Sequence, residues 1–303
     1  MWLNESFAEY CAVLASAEAT RFTGAWTTFC GGRKNWGYLQ DQLPSTHPVA
    51  ASVPTLTEAA ANFDGISYAK GASVLKQLVA YVGRDAFFTG VRNYFAEHAF
   101  ANATLADLLR ALGQSSGRSL SDWSKAWLET AGPNTLRPEF QTGPGGEFTA
   151  FAVAQEAPAR HPVLRPHRIA IGLYNFADSA PRPAGEPTAL VRAQRAEVEL
   201  SGARTLVPEL AGLPQPDLIL LNDDDLGYAL IGFDPRSLAT LTSSIGAFAD
   251  PLARTVCWSA VINMVRQAEL SLPAFTSMLC SGMGAEQSVS LLQTLHYLSL
   301  IHI

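Results

Sequence analysis

The spacing of apolar side chains changes twice along this sequence, and each change narrows the folds open to it. From residue 4 to about residue 131, apolar positions recur every three or four residues, the period of helices buried along one face. Past Pro138 the period gives way to short apolar runs at 148–153, 168–174, 189–200, 205–207, 218–221 and 228–233, separated by Gly, Pro and Asp. Runs of that length and spacing predict a small antiparallel β-sandwich. After Asp234-Pro235 the helical spacing returns over 236–248, 252–267 and 272–279. The pattern predicts a multi-domain α and β chain: a helical unit over 1–134, a β-sandwich over 135–233 and the start of a helical domain over 234–303.

Within the first unit, Asn4 is the expected N-cap of a helix whose apolar face is Phe7, Cys11, Leu14 and Ala15, with Gly24 beyond its end. The stretch 41–63 contains Pro44, Pro48 and Pro54 and reads as one long loop. Helical spacing resumes over 68–82 through Ala72, Leu75, Leu78 and Val79 and stops at Gly83. A further helix over 85–98 presents Phe88, Val91, Tyr94 and Phe95. Thr104 and Asp107 resemble a capping box with Asp in place of Glu, opening a helix over 105–112. Trp123, Trp127 and Leu128 mark another over 121–130, ended by Gly132-Pro133.

Charged residues are 16% of the 303, against roughly 25% in ordinary soluble domains. Either much surface is buried or some of it is meant for a missing part of the same molecule. A net charge of −6 without a basic cluster argues against nucleic acid as a partner. Cys11, Cys30, Cys257 and Cys280 form no C-x-x-C pair and are expected to be reduced and buried, in keeping with a cytoplasmic protein. No run of about 18 apolar residues is present, so no membrane span is expected, and no basic-then-apolar leader is visible. The last segment, 297–303, ends without cap or polar tail. The chain is therefore read as truncated at both ends, and whether its last residues are native stays open.

Two segments carry the chemistry. Residues 2–10 read Trp2-Leu3-Asn4-Glu5-Ser6-Phe7-Ala8-Glu9-Tyr10, and residues 63–75 read Phe63-Asp64-Gly65-Ile66-Ser67-Tyr68-Ala69-Lys70-Gly71-Ala72-Ser73-Val74-Leu75. Taken alone, Glu5 is an acid in a first helical turn, favoured there by the helix dipole, and Tyr68 is a packed tyrosine at a helix start. Taken together, the W-L-N-E-x-F-A run and the tyrosine segment resemble the aminopeptidase N family of zinc metallopeptidases, the gluzincin type. In that family an H-E-x-x-H helix supplies two histidine ligands and a glutamate base, and the W-L-N-E helix supplies the third ligand.

The resemblance implies several things at once. The first unit would be the helical C-terminal part of a thermolysin-like catalytic domain. The activity would be removal of N-terminal residues from peptides, with Zn2+ as cofactor, Glu5 as its third ligand and Tyr68 as donor to the oxyanion. Ser6 stands where many relatives have Gly. The histidines are His47, His98, His161, His167, His296 and His302, and none forms H-E-x-x-H; the amine-recognising G-x-M-E-N is absent as well. The chain alone is accordingly expected to retain zinc weakly and to be inactive. Its partners would be peptide substrates and the missing N-terminal portion of the same protein. The alternative is a non-catalytic helical and β-sandwich module that binds peptides or a partner.

Other candidates have plainer readings. Glu9, one turn from Glu5, is helical surface or a group supporting the site. His47, in Thr46-His47-Pro48-Val49, and His98 match fold positions of the family. Asp223, Asp224 and Asp225 lack the spacing of a calcium loop and read as a turn between strands. Arg165-Pro166-His167-Arg168 reads as a strand edge or interface, and 143–146 as a turn between strands.

Overall fold

The computed structural model describes residues 2–51, 54–177 and 188–301. The helical unit begins with α1 (Trp2–Ala19), followed by the short α2 (Ala25–Thr28), a π-helical turn Phe29–Lys34 and α3 (Asn35–Asp41). Then come α4 (Leu56–Ala61), a second π-helical turn Ile66–Lys70, α5 (Gly71–Val82), α6 (Arg84–Glu97), α7 (Leu105–Ser116) and α8 (Ser121–Leu128). Asn4 is not a cap: the helix starts at Trp2, because Trp2 and Leu3 are packed against the helical core and extend it by a half-turn. The region 41–63 is not one loop either, since α4 occupies part of it. The capping box at Thr104 forms as expected, each residue bonding the other's backbone amide.

Helix α5 is the spine of this unit. Ala72, Val74, Leu75, Gln77 and Leu78 are all buried, so it is covered on nearly every side. Each of Val74, Leu75 and Leu78 contributes about 1.5–3 kcal/mol by leaving water. Around it gather Tyr10, Phe29, Tyr38, Ile66, Phe87, Leu112, Trp123 and Trp127.

The middle of the chain forms two small facing sheets. One holds β1 (Thr135–Thr142), β2 (Phe148–Glu156), β5 (Arg204–Leu206) and β7 (Leu230–Ile231), in the order β5-β2-β1-β7. The other holds β3 (His167–Phe176), β4 (Leu190–Leu200) and β6 (Leu218–Asp223), in the order β4-β3-β6. Leu136, Phe151 and Val153 of the first meet Ile169, Ile171, Ile219 and Leu221 of the second in one apolar cluster. The sandwich departs from the antiparallel expectation at one pairing. β7 is two residues long and runs parallel to β1, because the chain crosses between sheets after β6. Along β4 every position from Val191 to Arg195 is exposed, so neither face is covered there, and this edge strand carries Arg192, Arg195, Glu197 and Glu199, charges that discourage further pairing.

A helical part follows: α9 (Pro235–Ser244), α10 (Pro251–Arg266), α11 (Leu272–Gly282) and α12 (Val289–Ile301). Asp234, Asp250 and Ser271 cap the first three, each followed directly or one residue later by Pro in the first turn. Helix α10 is buried from Ala253 to Met264 and packs on both β6 and the first π-helical turn. It thus joins all three parts of the chain. Cys30 and Cys257 are buried as expected, whereas Cys280 is exposed and Cys11 half-buried; all four are free thiols. Among the described residues no helix is long and apolar enough to cross a membrane.

Candidate active site

The site is assembled where α1 crosses the turn Ile66–Lys70. Glycines permit the close approach. A Cβ on Gly71 would lie 2.8 Å from the Ser6 Cβ, and one on Gly65 would lie 2.7 Å from the Gln40 side chain and 2.9 Å from Trp36. With no side chains there, α1 settles on one side of the turn and α3 on the other. The Ser6 hydroxyl then donates to the Ser67 carbonyl at 2.6 Å, a buried bond that serves a backbone oxygen inside the widened turn.

Tyr68 stands on that turn, and its backbone is held from several directions. The Asp64 carboxylate accepts from the amides of Ile66 at 2.9 Å and Ser67 at 3.0 Å. Its other oxygen lies 3.0 Å from His47 Nε2, whose Nδ1 lies 2.8 Å from the Pro48 carbonyl. The hydrogen bond to Asp64 holds the His47 pKa above its ordinary value. His47 therefore orients the acid that shapes the Tyr68 turn, both of its ring nitrogens being engaged by protein groups. The Gly65 amide donates to Gln40, and Lys70 is buried against Asp41 at 2.8 Å, so the turn is tied to α3 on both flanks.

The fold brings Glu5 and Tyr68 together across 63 residues of sequence. Loss of solvent and then the adjoining Glu5 carboxylate push the Tyr68 phenol above its ordinary pKa of 10.0, with Arg33 pulling in the opposite direction. The phenol is a proton-bearing donor throughout the neutral range. Glu9 is not free: Arg33 grips it through two bonds, Nε to Oε1 at 2.6 Å and Nη2 to Oε2 at 2.8 Å. The Arg33 guanidinium also lies 4.6 Å from the Trp36 ring and 5.8 Å from the Tyr68 ring. Arg33 is the member of this cluster that the sequence did not reveal. Nothing at 29–34 announces a π-helical turn, and its partner lies 24 residues away.

A peptide-hydrolysing zinc takes three protein ligands and keeps one position open. Among the described residues no group of three or more His, Cys, Asp or Glu side chains lies together to hold a metal. Glu5 fits one corner of such a site, but the residues present do not make a zinc site by themselves. What this wall offers is a carboxylate beside a protonated phenol, one a binder of cations, the other a donor to a developing oxyanion.

The remaining candidates fall away from this wall. His98 ends α6, stacks on Tyr94 at 5.5 Å and lies 3.8 Å from Asp107. His302 lies outside the described residues. The turn after β6 has its carboxylates engaged by protein groups: Asp223 by Tyr174 at 2.8 Å and Arg192 at 2.7 Å, Asp224 by Arg192 and Arg195, and Asp225 by Lys34. Asn222, Asp224 and Asp225 have positive φ of 57°, 60° and 56°, backbone shapes that Asn and Asp tolerate best among L residues. Gly143 and Gly146 close the β1–β2 hairpin through a 3.0 Å bond.

Arg165 is not at a strand edge. It is 1% exposed and bonds the Ala126 and Ala131 carbonyls at 3.0 Å, the Thr130 hydroxyl at 2.7 Å and the Asn134 side chain at 3.0 Å. It locks the end of α8 to the approach to β3, because the five guanidinium donors match a ring of acceptors that no smaller side chain could reach together.

Residues 1–127 match the model of the peptidase family M1 domain, and residues 218–302 that of the ERAP1-like C-terminal domain. The chain is 50% identical over 304 aligned positions to a protein named aminopeptidase N from Streptomyces lividans, an alignment covering 98% of this chain and 34% of that relative. It is 36% identical over 132 positions to a probable aminopeptidase 2 from Sulfurisphaera tokodaii, covering 44% of this chain and 17% of the relative. It is 33% identical over 137 positions to a leucyl aminopeptidase from Saccharolobus solfataricus, covering 45% of this chain and 18% of the relative. The chain thus spans at most about a third of the length of these relatives.

Proposed function

Since this chain belongs to peptidase family M1, we propose that the intact protein is a zinc-dependent aminopeptidase whose active site is walled on one side by Glu5 and Tyr68. The observation that carries the reading is the meeting of those two residues across a turn built to hold the tyrosine. Glu5 would supply one of the carboxylate or imidazole ligands that such a cation needs. Tyr68 donates a hydrogen bond from its phenol, which keeps its proton, to the oxygen of the scissile carbonyl as negative charge builds there, replacing its contact with Glu5. Because the phenol stays protonated at neutral pH, the donor is present without any prior ionisation step.

The substrates are peptides with a free N-terminus. The remaining metal ligands come from a portion of the same protein outside these 303 residues, which contain no H-E-x-x-H. The chain by itself does not turn over substrate. The proposed units are 1–134, 135–233 and 234–303; their described residues form the helical unit with the catalytic wall, the sandwich and the helical part that α10 ties to both. The four free thiols favour the cytoplasm.

The test is hydrolysis of aminoacyl-p-nitroanilides by the intact protein and its Tyr68→Phe variant. Removing one oxyanion donor lowers kcat by about 10²–10³-fold with KM little changed. A Tyr68→Phe enzyme with undiminished kcat would remove Tyr68 from the mechanism.

A further inference from the structure

Glu9 and Arg33 are charged groups at the Tyr68 ring that the reading above leaves without a role. Glu9 lies on the helix that carries Glu5, and Arg33 on the π-helical turn Phe29–Lys34. Their two parallel bonds, 2.6 and 2.8 Å, fix the plane of the guanidinium as well as its position. The Glu9 side chain is only 12% exposed, so its carboxylate depends on that cation far more than a freely solvated one would. Trp36 supports the guanidinium at 4.6 Å. Held this way, Arg33 lies 5.8 Å from the Tyr68 ring, while Phe63, half-exposed and 6.2 Å away, makes a tilted and looser contact.

We propose that Arg33, pinned by Glu9 and supported by Trp36, is a positioning residue that holds the Tyr68 ring in place beside Glu5. At 5.8 Å the direct cation–π attraction is at the outer limit of its range. The contribution of Arg33 is therefore geometric: it restricts the swing of a side chain that the turn holds only by its backbone. Displacement of a reacting group by about 1 Å can cost up to about 100-fold in rate, so a modest restraint has a measurable effect. The inference rests on Tyr68 acting as the oxyanion donor, and it adds the residues that aim it.

A double-mutant cycle in the intact enzyme tests it, using Arg33→Met, Tyr68→Phe and the double variant. Arg33→Met is expected to lower kcat about tenfold with KM within about twofold, and to add less than about twofold in the Tyr68→Phe background. Arg33→Lys keeps the charge and loses the fork, and recovers only part of the activity. A readout independent of catalysis uses the 303-residue chain labelled with 3-fluorotyrosine, the Tyr68 signal being assigned by its absence in Tyr68→Phe. That ¹⁹F resonance shifts towards the free amino acid value in Arg33→Met and returns part of the way in Arg33→Lys. Full persistence of the Arg33→Met loss in the Tyr68→Phe background would overturn the proposal, as would a ¹⁹F resonance unmoved by Arg33→Met. An unchanged kcat in Tyr68→Phe alone would sink the oxyanion assignment, and the positioning role with it.

Discussion

Replacing His167 with Gln should remove a measurable part of this chain's sensitivity to acid. His167 is fully buried where α8 meets the sandwich, with the Trp127 ring edge-on at 4.9 Å. Its Nε2 lies 3.0 Å from the Gln155 side-chain oxygen, which also accepts from the Arg165 amide, while the Gln155 amide nitrogen donates to Gly202. That network orients the Gln155 amide and assigns the proton to Nε2 of a neutral imidazole. Burial, and then the charge of Arg165, push the pKa from 6.5 down to about 3. The unfolded chain binds a proton at His167 below about pH 6.5, whereas the folded chain refuses it until about pH 3. Stability therefore falls as pH drops through that window, by at most about 1.4 kcal/mol per pH unit. Between pH 7 and pH 5 the loss is about 2 kcal/mol. His47 acts with the opposite sign, since its folded pKa is raised: its contribution is fully present below pH 6.5 and is lost as pH rises through the folded pKa. That contribution cancels when the parent is compared with His167→Gln. Urea unfolding of both chains at pH 7 and pH 5 is the assay. The parent should lose about 2 kcal/mol more than the variant over that interval. Equal losses would refute a neutral, buried His167.

Three further outcomes follow from packing and charge. Asp225→Asn leaves Lys34 buried without its counter-ion and should cost about 3–5 kcal/mol in urea unfolding, although Asn suits the positive φ at that position. Gly71→Ala should cost about 1–3 kcal/mol by driving a methyl group into Ser6, and adding Ser6→Gly should recover most of the loss, as double-variant melts would show. Arg165→Met should destabilise the fold by several kcal/mol, because it strands the buried acceptors at Ala131 and Asn134; limited proteolysis near residue 134 should accelerate in step.

Much of this architecture was legible from period and punctuation. The helical spacing through Leu75 and Leu78, the capping box at Thr104 and the Asp234-Pro235 helix start each act locally, within a few residues, and each appears where the pattern placed it. What escaped was set by contacts distant in sequence. Lys34 and Asp225 are 191 residues apart, and Arg165 reaches acceptors more than 30 residues upstream. Neither looks different from a surface charge until the chain is folded. The start of α1 was misplaced because packing of Trp2 and Leu3 outweighs the capping preference of Asn4. Glu5 and Tyr68 could be singled out because their flanking segments are distinctive. Arg33 could not, since a π-helical turn has no sequence signature and the Glu9 contact depends on how that turn faces α1.

On the proposed reading, Glu5 is a metal-binding carboxylate on a wall shared with Tyr68. Elemental analysis of the intact protein and of its Glu5→Gln variant, purified side by side without added metal, tests it most directly. About one zinc per chain is expected in the parent and a large loss in the variant, the fold remaining intact by circular dichroism. Zinc retained at full stoichiometry by Glu5→Gln would contradict it.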